Sequence, residues 1–288
     1  VSELYRVIEE GRLDGGVLLV ALEGWIDAGL GASGAVTHLL PGSSRVVEFD
    51  GEDLLDRRAR RPVVELSDGR LIDLTWPTIQ VRATTGRDGT PIGLLVGPEP
   101  DYHWRRFVDA VAALVRELRV RLVVSLGAFP APAPHTRPVR VAATSPDESL
   151  VAKVGTVPGR LTVPAGIEAP IELAVHAAGV PVLGLWARVP HYVANFPFPA
   201  ASAALLETVA TVGEVAIDVT GLYTAADAAR QQVDELIGQS GEHQAMVRQL
   251  EERLDEAEGN PLDLGEIPSG DQIAAELERY LRGEAGGS

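Results

Sequence analysis

His135, Thr136 and Arg137 stand in a row between Pro134 and Pro138, soon after the apolar run Arg121–Leu126. A histidine can move protons near neutral pH, and an arginine can hold an anionic group in a forked grip. The run before them reads as a buried strand, so the three side chains leave the sheet at that strand's carboxyl end. Open α/β sheets place their ligand sites at such ends. Four prolines within Pro130–Pro138 stiffen the loop that carries them. Three other segments border predicted strand ends: Trp25-Ile26-Asp27, Pro98–Trp104 and His191–Asn195. Together they make a candidate ligand or contact rim of Trp25, Asp27, Glu99, Asp101, Trp104, His135, Thr136, Arg137, His191, Tyr192 and Asn195. One reading is a site in which Arg137 holds an anion while His135 or His191 shuttles protons. The other, which we place ahead of catalysis, is that Arg137 pairs with Asp27 or Glu99 and His135 caps a backbone group, locking the loops.

Motifs for better-defined chemistries fall short. Gly29-Leu-Gly-Ala-Ser-Gly34 fits G-x-G-x-x-G, and Asp50 lies where a ribose-binding acid would. However, Glu23–Asp27 separates these glycines from the preceding strand, so they fall inside a helix, where they permit close packing. Neither G-x-x-x-x-G-K-[ST] nor G-x-S-x-G occurs, and the six histidines form no metal-binding pair. Glu99, Asp101 and His103 alternate at a helix entrance, where acids serve as caps. We therefore expect no metal, no cofactor and no catalytic residue.

The elements that must position the rim follow from apolar runs and turn signals. Val17–Leu22 reads as a strand buried on both faces, followed by a helix over 28–40 capped by Asp27. A strand is expected at Arg45–Phe49. Val63–Val96 reads as antiparallel strands turning at Asp68-Gly69 and Asp88-Gly89. A helix from Tyr102 to about Leu118, capped by Asp101, precedes the strand Leu122–Leu126. A short strand Val139–Ala143, a helix over 169–178, a strand Val180–Trp186 and a helix over 200–212 complete an α/β part. Thr224-Ala-Ala-Asp227 resembles a capping box for a helix that Gly238 and Gly241 kink or split and Gly259-Asn-Pro261 stops. Ser269–Gln272 would cap a last helix ending near Leu281. These helices are too thin for a core of their own, so their apolar stripe must pack on the body or on a partner. The expected division is an α/β core over 1–222 and a helical segment over 223–288.

Composition narrows the classes. The chain has 288 residues, no cysteine and a formal net charge of −16. Fifteen acidic and five basic residues between Thr224 and Ser288 put −10 of that charge on the helical segment. Such a surface repels phosphate backbones, so nucleic acid is not an expected partner. Val1–Arg6 lacks the basic start of a signal peptide, no apolar stretch spans a bilayer and no disulfide can form. The expectation is a soluble, cytoplasmic protein without membrane contact.

Taken together, Gly24–Gly29, Leu95–Asp101 with Trp104, Pro134–Pro138 and His191-Tyr192…Pro197…Pro199 resemble the proteasome assembly chaperone 2 family. Pro268–Asp271…Glu278–Leu281 resembles the helical tail of its bacterial members. The resemblance implies a mixed central sheet flanked by helices, similar to nucleoside phosphorylases and related hydrolases, with an acidic C-terminal helical appendage. It also implies homo-oligomers, trimers being favoured, and partners such as proteasome subunits or other proteins. Some archaeal relatives dock through a C-terminal hydrophobic-Tyr-X tail. This sequence departs from that pattern, because Arg279-Tyr280-Leu281 is followed by seven further residues. The expected function is chaperone-like or scaffolding, by protein–protein contact. The alternative is a small-ligand binder or a phosphorylase- or hydrolase-like enzyme using the strand-end rim.

Overall fold

Val17–Glu23 forms strand β2, and its unbroken apolar run divides by alternation. Leu18, Val20 and Leu22 enter one core cluster while Val17 and Leu19 enter the other, because successive side chains of a strand point to opposite faces. A helical layer on each face is required to cover them. In the computed structural model, which describes residues 4–24 and 26–259, those layers are present. Helices α3 (Trp104–Glu117) and α5 (Glu168–Ala177) cover the first face. Helices α1 (Gly31–Leu39) and α6 (Pro199–Val212) cover the second.

The sheet has eight strands in the order β1-β3-β6-β7-β2-β8-β10-β9. They are β1 (Tyr5–Val7), β2, β3 (Ser44–Phe49), β6 (Gln80–Thr85), β7 (Pro91–Pro98), β8 (Leu122–Ala131), β9 (Val141–Thr144) and β10 (Val182–Pro190). Its centre, β7-β2-β8-β10, is parallel, and the flanking strands are antiparallel. This is the mixed central sheet between helices that the family resemblance implies. Short helices α2 (Gly51–Leu54) and α4 (Glu148–Val151) interrupt the connections. Strands β4 (Val63–Ser67) and β5 (Arg70–Thr75) pair only with each other, turning at Asp68-Gly69 as expected.

Helix α7 (Thr220–Gly238) packs across α6, and α8 (Gly241–Gly259) follows it after a break at Gln239-Ser240. The glycines at 238 and 241 thus split one long helix in two. The capping signal at Thr224–Asp227 lies inside α7 instead of at its start. The start is held by Asp218, whose carboxylate accepts from the Thr220 N–H at 3.1 Å and its hydroxyl at 2.7 Å. Trp25 and the expected helix ending near Leu281 lie outside the described residues.

The glycines at 29, 31 and 34 pack closely, as expected. A Cβ on Gly31 would stand 2.9 Å from the Ala128 Cβ, and one on Gly34 would stand 2.4 Å from Ser202 Oγ. Ser202 is buried, and its hydroxyl donates to the Gly31 carbonyl at 2.9 Å. Gly34→Ala is therefore expected to push α1 from α6 and lower the unfolding free energy by about 1–2 kcal/mol, read from the urea midpoint.

Candidate functional site

Because β2, β7, β8 and β10 are parallel, their carboxyl ends share one edge of the sheet. The segments that follow them hold the candidate rim residues other than Trp25, which lies outside the described residues. The side chains, however, turn to separate partners.

Those of the first two segments hold helices and turns. Both carboxylate oxygens of Asp27 accept from the N-terminus of α1, at 2.7 Å from Ala32 N–H and 2.9 Å from Ser33 N–H. Glu99 Oε1 accepts from Ile167 N–H at 2.7 Å, where α5 begins. Asp101 does not cap α3, which starts at Trp104 behind a left-handed His103 with φ 57°. Its carboxylate accepts instead from the Asp56 N–H at 2.8 Å and pairs with Arg60 at 3.1 Å. The Trp104 indole donates to the Pro100 carbonyl at 2.6 Å.

The third and fourth segments meet, and the third grips the C-terminal helices. His135 is buried, with Nδ1 2.7 Å from Tyr192 Oη and Nε2 2.9 Å from Asp234 Oδ1 on α7. Its backbone N–H also donates to Tyr192 Oη at 2.8 Å. One proton assignment satisfies all three contacts: Nε2–H donates to Asp234, and the tyrosine hydroxyl donates to Nδ1 while accepting from the backbone. Burial, reinforced by Glu251 and Asp234, pushes the Tyr192 hydroxyl up to about 12. Thr136 donates its hydroxyl to Glu251 on α8. Arg137 forks onto Asp255 at 2.8 and 3.1 Å and reaches Glu251 at 3.3 Å. The expectation that Arg137 pairs with Asp27 or Glu99 is thus corrected, and so is backbone capping by His135. Asp27 and Glu99 are held by helix starts, whereas Glu251 and Asp255, one turn apart, present two carboxylates on one face. His191 and Asn195 are exposed, and the His191 ring stands edge-on to Tyr192 at 5.3 Å.

Sequence reasoning missed a second group on the opposite layer. Glu172 on α5 is buried against the sheet, facing Ser125 of β8 and the Thr144 hydroxyl of β9 at 3.4 Å. Burial, with Glu168 adding repulsion, raises it from 4.5 to about 7. Glu168, also mainly through burial and then through the charge of Glu99, is raised to about 7 as well. The readable signal was Glu168 and Glu172 four apart beside Ile171 and Val175, two residues of the buried stripe of α5.

A family model described as the PAC2 family matches residues 21–237. The chain belongs to the PAC2 family. Among solved structures, the Mycobacterium tuberculosis protein Rv2714 is 32% identical with a TM-score of 0.82, over 90% of this chain and 92% of that one. The proteasome-assembly chaperone homologue Rv2125 of the same organism is 35% identical with a TM-score of 0.74, over 80% and 99%. A PAC2 family protein from Streptomyces avermitilis MA is 36% identical with a TM-score of 0.71, over 81% and 99%. No curated protein matches the chain. In this PAC2 chain, the Pro134–Pro138 motif clasps α7 and α8, and Tyr192 of the His191-Tyr192 motif braces His135 within it.

Proposed function

We propose that this PAC2 chain acts by holding other proteins, as a chaperone-like or scaffolding protein, rather than by converting a substrate. The observation that carries this reading is the β4–β5 hairpin. Every residue of both strands is exposed, including Val63, Val64, Leu66, Leu71, Ile72 and Leu74, with Leu71 at 74%. Exposed apolar clusters of this kind mark interaction surfaces, and a lone hairpin gains little stability by itself. Arg57 stacks over Trp76 at 5.1 Å and steadies the base of the arm.

Candidate partners are proteasome subunits, a possibility supported by the name of the Rv2125 relative, or further copies of this chain, as a trimer. The place of action is the cytoplasm, and no helix among the described residues is long and apolar enough to cross a membrane. In this reading residues 1–222 form the body and residues 223–288 the helical segment, while exposed His191 and Asn195 extend the contact rim. Light scattering and affinity capture on the full chain test it, with Leu66→Asp/Leu71→Asp as the comparison. The double variant is expected to keep its melting temperature and lose the oligomer or the captured partner. A wild-type chain that stays monomeric and captures no consistent partner would sink the proposal.

A further inference from the structure

The exposed hairpin has two unlike faces. Val64 stands opposite Leu74, Glu65 opposite Asp73 and Leu66 opposite Leu71. A bulge falls between the last two pairs, so Leu71 and Ile72 together oppose Leu66. Successive side chains alternate between faces, and the bulge shifts that alternation by one residue. All five aliphatic side chains therefore gather on one face, while Glu65 and Asp73 share the other. Without the extra residue, Leu71 would fall among the acids.

The ribbon is unfinished in two respects. Strands β4 and β5 form a sheet of their own, so each keeps an outer edge that no other strand joins among the described residues. Two strands are marginal without a third or a covering layer. Glu65 and Asp73, exposed and directly opposite, repel each other, and neither has an ion-pair partner among the described residues. The two edges also differ. On β5 the Leu74 N–H is occupied by the Asp73 carboxylate at 2.8 Å, whereas the N–H groups of β4 have no side-chain partner among the described residues. Strand β4 is thus the edge open to a further strand.

We propose that β4 takes up an extended segment of another protein as a third strand, and that the preferred segment alternates aliphatic and basic residues. This rests on the reading of the hairpin as the protein-holding surface and adds what that surface holds. A strand laid along β4 sets aliphatic side chains beside Val64 and Leu66. Between them it sets a lysine or arginine beside Glu65, on the face that Glu65 shares with Asp73. The backbone ladder supplies affinity, and the alternating side chains supply selectivity. An acidic segment would add a third carboxylate to two that already repel. A folded surface with no free strand would offer no ladder.

Fluorescence anisotropy of the full chain at about 0.15 M salt tests this, with labelled peptides of five Val-Lys, five Val-Glu or five Val-Pro-Lys repeats. The Val-Lys peptide is expected to saturate with a Kd below about 1 mM, and the other two to bind at least about tenfold more weakly. Val-Glu fails by charge, and Val-Pro-Lys keeps the charge but cannot lay down a ladder. Glu65→Lys/Asp73→Lys is expected to prefer Val-Glu. Glu235→Lys/Glu242→Lys, which changes the net charge equally on α7 and α8, is expected to keep the wild-type order. All four residues are exposed, so both variants are expected to keep the wild-type melting temperature, and the Val-Pro-Lys comparison needs no variant. No saturation by Val-Lys below about 1 mM overturns the proposal, as does equal binding of Val-Pro-Lys or an order that the hairpin variant leaves unchanged. If the full chain then still holds an oligomer or partner that Leu66→Asp/Leu71→Asp releases, the protein-holding reading stands and strand addition alone falls.

Discussion

Replacing His135 by alanine is expected to lower the unfolding free energy by about 3 kcal/mol and to loosen α7 and α8 from the body. The ring is buried and makes two side-chain contacts, one within the rim and one to α7. Its removal leaves a void and withdraws the hydrogen-bond partners of Tyr192 and Asp234. Arg137→Ala is expected to cost less, about 1 kcal/mol, because its ion pairs are partly exposed and screened by water. Tyr192→Phe falls between them, since it deletes only the hydroxyl. Urea unfolding checks the magnitudes. Hydrogen exchange checks the location: protection should fall along Thr220–Gly238 and Gly241–Gly259 while β2 and β8 keep theirs. Uniform loss of protection across the sheet would contradict the clasp.

Glu172→Gln is expected to stabilise the protein above about pH 7 and to have little effect near pH 4.5. The sign follows from linkage. With the folded-state value raised from 4.5 to about 7, the native state binds a proton that the unfolded chain has released throughout that window. Stability therefore falls as pH rises across the window, and the loss is complete above it. The interval converts to about 3 kcal/mol as an upper bound for this one group. Glu168, raised to about 7 by burial and then by the charge of Glu99, adds to the wild-type slope, and the two do not sum because the charge of Glu168 helps to raise Glu172. Urea midpoints measured across the window should slope downward for the wild type and less steeply for Glu172→Gln. Parallel curves for the two proteins would refute the buried-carboxyl account.

Most of the sheet was readable from local chemistry. The Asp68-Gly69 and Asp88-Gly89 turns fall where the signals put them, and the apolar run at 17–22 is a strand buried on both faces. The errors share a cause, which is long-range pairing overriding local preference. Strand β8 continues through Gly127 and Pro130 to Ala131, although both residues disfavour a central strand. Pairing with β2 stops at Val20–Ser125, so beyond it one edge of β8 is free except for a bridge at Asp27–Ala128. Proline is tolerated there because β10 continues on the other side. Strand β1, only three residues long, exists because β3 offers it an edge. The same holds for the rim. Residue types and strand ends identified which side chains gather, while their partners depended on helices a hundred residues away. Asp234, Glu251 and Asp255 read as ordinary solvated acids until α7 and α8 are folded back over the Pro-rich loop.

That separation sets an order of events for a chain being synthesised. His135 meets Asp234 across 99 residues, and Arg137 meets Asp255 across 118. Domains assemble from the N-terminal side as they emerge, so the sheet around β2 and β8 can form while the acids of the clasp are still unmade. During that interval the loop presents a cationic face, which the later-made acids of α7 and α8 then pair. The clasp therefore works as a late latch: the loop displays Arg137 until α7 and α8 are made, and their carboxylates then engage it.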